Sequence, residues 1–299
     1  MRAVTVRSIM MGLVACLMAQ AMVARAQSDR FADVVIEATQ ITETVYMLTG
    51  AGGNIGVSVG PDGLLIIDDQ FAPLAERIAE ALGRVAEGQS FPGAMVKYVI
   101  NTHFHGDHTG SNGFFAEQGA TIVAQENVRV RLLGSENNPQ TALPVVTYSE
   151  GVNLYFNSDK LLLDALAGHT DGDSSVFFTR ANVLHTGDLL FNGRFPYIDL
   201  DSGGSVADYL ASQRALLALV NEQTQIIPGH GPLASSADLL AMHTMIKACF
   251  DQVRADVDAG LSLEDIIEKG VAPRFQSLSG AFINEERWLT TLYRDITRG

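Results

Sequence analysis

Within residues 101–110, NTHFHGDHTG, four metal- or proton-binding side chains fall inside six positions: His103, His105, Asp107 and His108. A loop like this demands a rigid frame that turns all four inward, and it takes three of the chain's seven histidines. Residues two apart in an extended segment point to the same side. His103 and His105 can therefore grip one ion, and a turn at Gly106 lets Asp107 and His108 face a second. VKYVIN (96–101) reads as a buried strand that delivers the chain into this loop.

Four more fragments carry matching chemistry. LLIIDD contains Asp68, AGHTDGD contains His169, VLHTGD contains His185 and Asp188, and IPGHGP contains His230. The last three place their polar residue beside glycine, at or just after an expected strand, where loops can gather distant residues around an ion. Imidazole and carboxylate suit zinc, with manganese and iron as competitors. A catalytic zinc takes three protein ligands and leaves a position for water. His169 completes the first set and His230 the second, with Asp188 bridging both. A lone H-x-H, His169 or His230 would read as an ordinary surface or hydrogen-bonded histidine. The six-residue run with three glycine-flanked companions does not. His243, inside a helical stretch, and His185, within a strand, read as packing.

The rest of the chain supplies a frame. Up to about residue 70 it is β in character, with VYMLTG, NIGVSVG and GLLIIDD separated by Gly-Gly and Pro-Asp-Gly turns. Residues 73–87 have helical spacing, and TIVA (121–124) is a further strand. Strands recur over 153–188, and helices are expected over 205–222, 234–259 and 283 to the end. The pattern predicts an α/β chain with two packed sheets, helices outside, and a site along the shared edge. No low-complexity linker or repeat divides it.

These residues resemble the metallo-β-lactamase fold superfamily over roughly residues 40–245. The shared motifs are H-x-H-x-D-H (103–108), G-H-T at His169, T-G-D at Asp188, P-G-H-G at His230 and the acidic strand end at Asp68. The resemblance implies an αββα sandwich with a dinuclear zinc site. One Zn2+ would sit on His103, His105 and His169, and the other on Asp107, His108 and His230. Asp188 and a hydroxide would lie between them, and Asp68 would support the metal loop. β-Lactamases of this fold often carry cysteine or serine where this chain keeps Asp188, and Cys249 lies too late in the chain to fill that role. The intact T-G-D looks more like the broader branch of lactonases, esterases and hydroxyacylglutathione hydrolases. The C-terminal part lacks an evident basic cluster for glutathione. The insertion FNGRFPYIDLDSGG (191–204) is similar to a loop in exported members. Arg194, Phe195 and Tyr197 are its candidates for lining the substrate groove, against the alternative of a structural cover.

The N-terminus has a different task. Arg2 and Arg7 precede an apolar stretch, and Ala24-Arg25-Ala26 has a small-x-small pattern, so residues 1–26 read as a signal peptide. The stretch is short against the roughly 20 apolar residues of a membrane span. Leu13–Cys16 resembles a lipobox, but the residues after Cys16 stay apolar, which favours simple export over a lipid anchor. The domain is then 27–299, expected in the periplasm without stable membrane insertion. Cleavage removes Cys16 and leaves Cys249 alone, so no intramolecular disulfide forms. It also removes three arginines, taking the formal charge from −14 to −17. A surface this acidic repels phosphate backbones and argues against nucleic acid as a partner. The expected partner is a small molecule.

Together these features predict a zinc hydrolase that attacks a lactam, lactone, ester or thioester, with Asp107 orienting the nucleophile or shuttling its proton. Two other readings stand beside it: an iron-dependent oxidoreductase of the same fold, acting on sulfur or oxygen, and a non-catalytic zinc-binding protein.

Overall fold

The computed structural model describes residues 30–135 and 138–298. The signal peptide read in residues 1–26 lies outside them. Residues 30–35, with one hydrogen-bonded turn, belong to a separate N-terminal unit, and Ile36–Gly299 form the other.

The larger unit is built on two sheets. Seven strands make the first in sequence order: β1 (Glu37–Gln40), β2 (Val45–Thr49), β3 (Ile55–Gly60), β4 (Gly63–Ile67), β5 (Val96–Asn101), β6 (Thr121–Gln125) and β7 (Val146–Tyr148). Pairing is antiparallel through β4 and parallel from β4 to β7. The second sheet holds β8 (Gly151–Phe156), β9 (Asp159–Ala165), β10 (Ser174–Phe178), β11 (Val183–His185), β12 (Gln225–Ile227) and β13 (Ala234–Ser235), in the order β13-β12-β11-β10-β9-β8.

Two hairpin turns join these sheets. Asn157 and Ser158 link β8 to β9 with φ of 49° and 62°, the left-handed pair that a two-residue hairpin loop requires. The Asn157 side chain accepts from Asp62 N at 3.0 Å and donates to Ser58 Oγ at 3.0 Å and Gly63 O at 3.1 Å. It thereby ties its own turn to the β3–β4 turn. Between the sheets lies a continuous core, with Val45, Met47, Leu65, Ile67, Ile100 and Val123 from the first and Leu161, Leu163, Val176, Phe178, Val183 and Ile227 from the second.

Helices cover the outer faces. They are α1 (Ala75–Gly88), the single turn α2 (Gly106–Thr109), α3 (Asn112–Glu117), α4 (Glu126–Leu133), α5 (Val206–Leu219), α6 (Ser236–Asp258), α7 (Leu263–Lys269) and α8 (Glu285–Thr297). In α1, Ile78, Leu82 and Val85 recur at helical spacing and are buried, and Pro73 is taken up by a 3-10 turn over Ala72–Leu74. Ser205, Ser235, Ser262 and Asn284 cap α5 to α8, each accepting a hydrogen bond from a backbone N–H in the first turn. A second core, with Tyr209, Leu239, Ile246, Trp288 and Leu292, joins the C-terminal helices to the second sheet. The architecture is the αββα sandwich. No helix among the described residues is long and apolar enough to cross a membrane.

Candidate metal centre

Every ligand candidate sits at the end of a strand or in the loop that follows. Asp68, their support, follows β4; β5 runs into His103 and His105, and α2 carries Asp107 and His108. His169 lies between β9 and β10, Asp188 follows β11, and His230 follows β12. Two clusters result: His103, His105, His169 and Asp188 in one, and Asp107, His108 and His230 in the other. Within each, the donor atoms all lie within 4.8 Å of one another.

Asp188 reaches both clusters. Its Oδ2 is 3.4 Å from His169 Nε2 and 3.8 Å from His103 Nε2, while its Oδ1 is 3.2 Å from His108 Nε2 and 3.4 Å from His230 Nε2. Asp107 Oδ2 lies 3.4 Å from His230 Nε2 and 3.7 Å from His108 Nε2.

The imidazole protons are held elsewhere. His108 Nδ1 donates to Asp68 Oδ2 at 2.7 Å, and His169 Nδ1 to the Tyr197 carbonyl at 2.8 Å. His105 Nε2 donates to Asp199 Oδ2 at 3.1 Å. Thr102 gives its hydroxyl proton to Asp68 at 2.7 Å, so its oxygen accepts from His103 Nδ1 at 3.1 Å. An engaged proton on one ring nitrogen leaves the lone pair on the other. Four lone pairs therefore converge, with His105 Nδ1 only 3.0 Å from His103 Nε2 and 2.9 Å from His169 Nε2. Asp188 Oδ1 is buried without a hydrogen-bond donor. Facing lone pairs at this range repel one another, and a cation among them turns the repulsion into ligation. The donor set fits a metal.

Electrostatics agree. Burial and the neighbouring His108 push His103 well below the usual histidine range, and burial carries His169 down to about 4, so both stay neutral and able to bind metal. At His108 burial also opposes charge, but Asp188, Asp107 and Asp68 outweigh it and raise the pKa: positive charge is favoured between the two clusters. Burial opposes ionisation of Asp188 too, yet His230, His108, His103 and His169 hold its carboxyl well below the usual range.

The insertion 191–204 needs a correction. Phe195, expected in the substrate groove, is fully buried and stacks on Trp288 at 5.7 Å, because its ring is part of the core under α8. Arg194 is solvent-exposed. Tyr197 is half-buried, its ring 5.6 Å from that of His169 and 5.9 Å from that of His105. His185 is buried in the sheet, donating from Nε2 to Asn54 O at 3.1 Å and accepting from Gly187 N. Gly106 opens α2 at an ordinary φ with open space around it, so the turn there does not depend on glycine.

Sequence reasoning passed over three groups. Asp199 orients His105 from 94 residues away, and its position in a turn, where it accepts from Ser202 N, reads locally as a cap. Asp173 accepts from His169 N at 2.7 Å and Thr170 N at 2.9 Å, fastening the His169 loop. The AGHTDGD fragment held that signal. Phe191 stacks on His230 at 5.0 Å.

Comparison with known proteins places this arrangement. The family model described as the metallo-beta-lactamase superfamily matches residues 48–230. The chain belongs to that superfamily. Among metallo-β-lactamase superfamily relatives, the hydroxyacylglutathione hydrolase of Rhodospirillum rubrum is 28% identical over 166 residues, 55% of this chain and 56% of its own length. The chain thus spans about half the length of the curated relatives it matches. A metallo-beta-lactamase from Pontibacter korlensis superposes with a TM-score of 0.58 at 20% identity, covering 71% of this chain and 99% of its own. A double mutant of the sec-alkyl sulfatase PisA1 superposes with a TM-score of 0.68 at 15% identity, over 90% of this chain and 51% of its own. These two likenesses are of fold.

Proposed function

We propose that the protein is a zinc-dependent hydrolase that uses a two-metal centre to split a carbonyl substrate: a lactam, lactone, ester or thioester. The observation that carries this reading is the pair of facing clusters with one oxygen of Asp188 directed at each. His103, His105 and His169 would hold one ion, Asp107, His108 and His230 the other, and Asp188 both. Zinc, when bound, acidifies water to a pKa of about 7 and polarises a carbonyl.

The chain's own residues supply the remainder. Asp68, Asp199 and the Tyr197 carbonyl hold the distal protons of His108, His105 and His169, which fixes tautomer and ring direction. The Asp107 side chain is 24% exposed, where Asp188 is 4%, so Asp107 is the carboxylate placed to exchange a proton with substrate and solvent. Phe191 and Tyr197 bring ring surface against His230 and His169 and exclude water on that side.

The deciding experiment measures metal content and turnover on one purified sample, against a chromogenic cephalosporin, a lactone, an aryl ester and a thioester. Two zinc ions per chain, turnover of at least one substrate, and loss on chelation restored by zinc support the reading. No hydrolysis together with bound iron sinks it in favour of an oxidoreductase. The proposal includes export to the periplasm through residues 1–26: expressed full-length protein should be recovered from that compartment shortened to begin near Gln27.

A further inference from the structure

Beside the metal clusters stands a wall of side chains from two distant parts of the chain. Tyr197, from the insertion, faces His105 and His169. Phe282, just before α8, packs edge-on against Tyr197 with ring centroids 5.7 Å apart, yet is 61% exposed. Arg287, in the first turn of α8, lies over both rings, its guanidinium carbon 5.4 Å from the Tyr197 centroid and 4.8 Å from that of Phe282.

The charge on Arg287 has no counterpart. At the other end of α8, Arg294 in the last turn and Arg298 at the C-cap pair with Asp201 at 2.8 Å and Asp295 at 2.7 Å. No carboxylate of the described residues lies within ion-pair distance of Arg287, whose guanidinium donates from Nη1 to the Phe282 carbonyl at 3.0 Å. What sets Arg287 apart is its place: its guanidinium lies over two aromatic rings, and one of them, Tyr197, packs against His105 and His169. A guanidinium stacked on rings keeps its outer N–H groups directed at solvent, where they bind a carboxylate in fork geometry. An exposed phenyl edge offers the same ligand an apolar surface.

We propose that Tyr197, Phe282 and Arg287 form the substrate-recognition wall of the metal site, and that the substrate has an aromatic or other apolar body ending in a carboxylate. The body rests on Phe282 and Tyr197, and the carboxylate pairs with Arg287. The scissile carbonyl then falls toward His105 and His169. That the ligand is a substrate rests on the hydrolase reading above; the recognition wall itself does not.

Binding separates the two. With the zinc-loaded protein, the affinities of 3-phenylpropanoate and its neutral amide are compared by calorimetry or ligand-observed NMR, in the wild type and in Arg287→Gln, Arg287→Lys and Phe282→Ala. The acid-over-amide ratio should fall about tenfold in Arg287→Gln and recover in part in Arg287→Lys. Phe282→Ala should weaken both ligands together. A zinc-bound carboxylate contributes equally in wild type and variant, so it cancels from the comparison. An arginine that merely anchors the Phe282 segment would shift both ligands alike, and a ratio unchanged in Arg287→Gln overturns the proposal. Selective binding without turnover of any ester, lactone, lactam or thioester leaves the wall standing and removes the hydrolase reading. Turnover with no charge selectivity does the reverse.

Discussion

Gly229 follows β12, and a Cβ there would run into Asp188 Oδ1 and the Gly187 backbone. Gly229→Ala should displace the shared carboxylate, lower metal content below two ions per chain and destabilise the fold by about 1–3 kcal/mol. Gly106→Ala, by contrast, meets open space at an ordinary φ and should keep its full metal content. Elemental analysis of the two variants tests the pair, and equal metal loss in both would count against the site as described. Asp199 offers a second test: Asp199→Ala frees the His105 Nε2 proton and should weaken metal binding about tenfold to a hundredfold, measured by competition with a chelator. A third concerns acid. His169 is held near 4 in the folded chain against 6.5 for an unperturbed histidine, so the unfolded chain takes up a proton first as pH falls. The stability is full above 6.5 and is lost from there down toward 4; His103 shifts in the same direction. The raised pKa of His108 acts the other way, but its contribution is complete by 6.5 and constant below. Burial raises Asp173, to about 8, and Asp69, and both gain stability as pH falls through the same window, so the histidine contribution is read by difference: in chelated protein the urea midpoint of the wild type should fall more from pH 6.5 to 4 than that of His169→Gln, and an equal change in both would contradict the assignment.

At the scale of elements, the long helices and buried strands were legible because their periodicity is strong: expected spans of 73–87, 205–222, 234–259 and 283 onward became α1, α5, α6 and α8 with shifts of a few residues. Short or exposed elements were not. β1 is exposed at all four positions and β13 has only two residues, so neither carries an alternating pattern. The candidate ligands stood out because histidine beside glycine at a strand end is unusual. Asp199 and the Tyr197 carbonyl act through hydrogen bonds across the fold, which no local pattern encodes. Phe195 failed for a related reason, since a single aromatic in a loop has no period to reveal which way it faces. One helix cap can be tested. Ser235 and Asp238 form a reciprocal capping box at the start of α6, and Ser235→Ala should cost about 1 kcal/mol in chemical denaturation without changing metal content.

Across the whole molecule, bound metal would join what the core alone does not. The candidate ligands come from loops on both sheets, whereas the core between the sheets is apolar and holds none of them. On the two-metal proposal zinc would bind the folded state, so chelation should lower the melting temperature by several degrees and make it depend on free zinc concentration. A melting temperature indifferent to chelator would mean that the clusters do not bind metal in the folded state.

One consequence follows from the order in which the sheets are laid down. The first sheet is complete at Tyr148 and the second starts at Gly151. His103, His105, Asp107 and His108 emerge with the first, and His169, Asp188 and His230 with the second. During synthesis, then, neither half can finish the centre before the other arrives, and on the two-metal proposal capture of the full metal complement would be a timestamp for the moment the two halves close on each other.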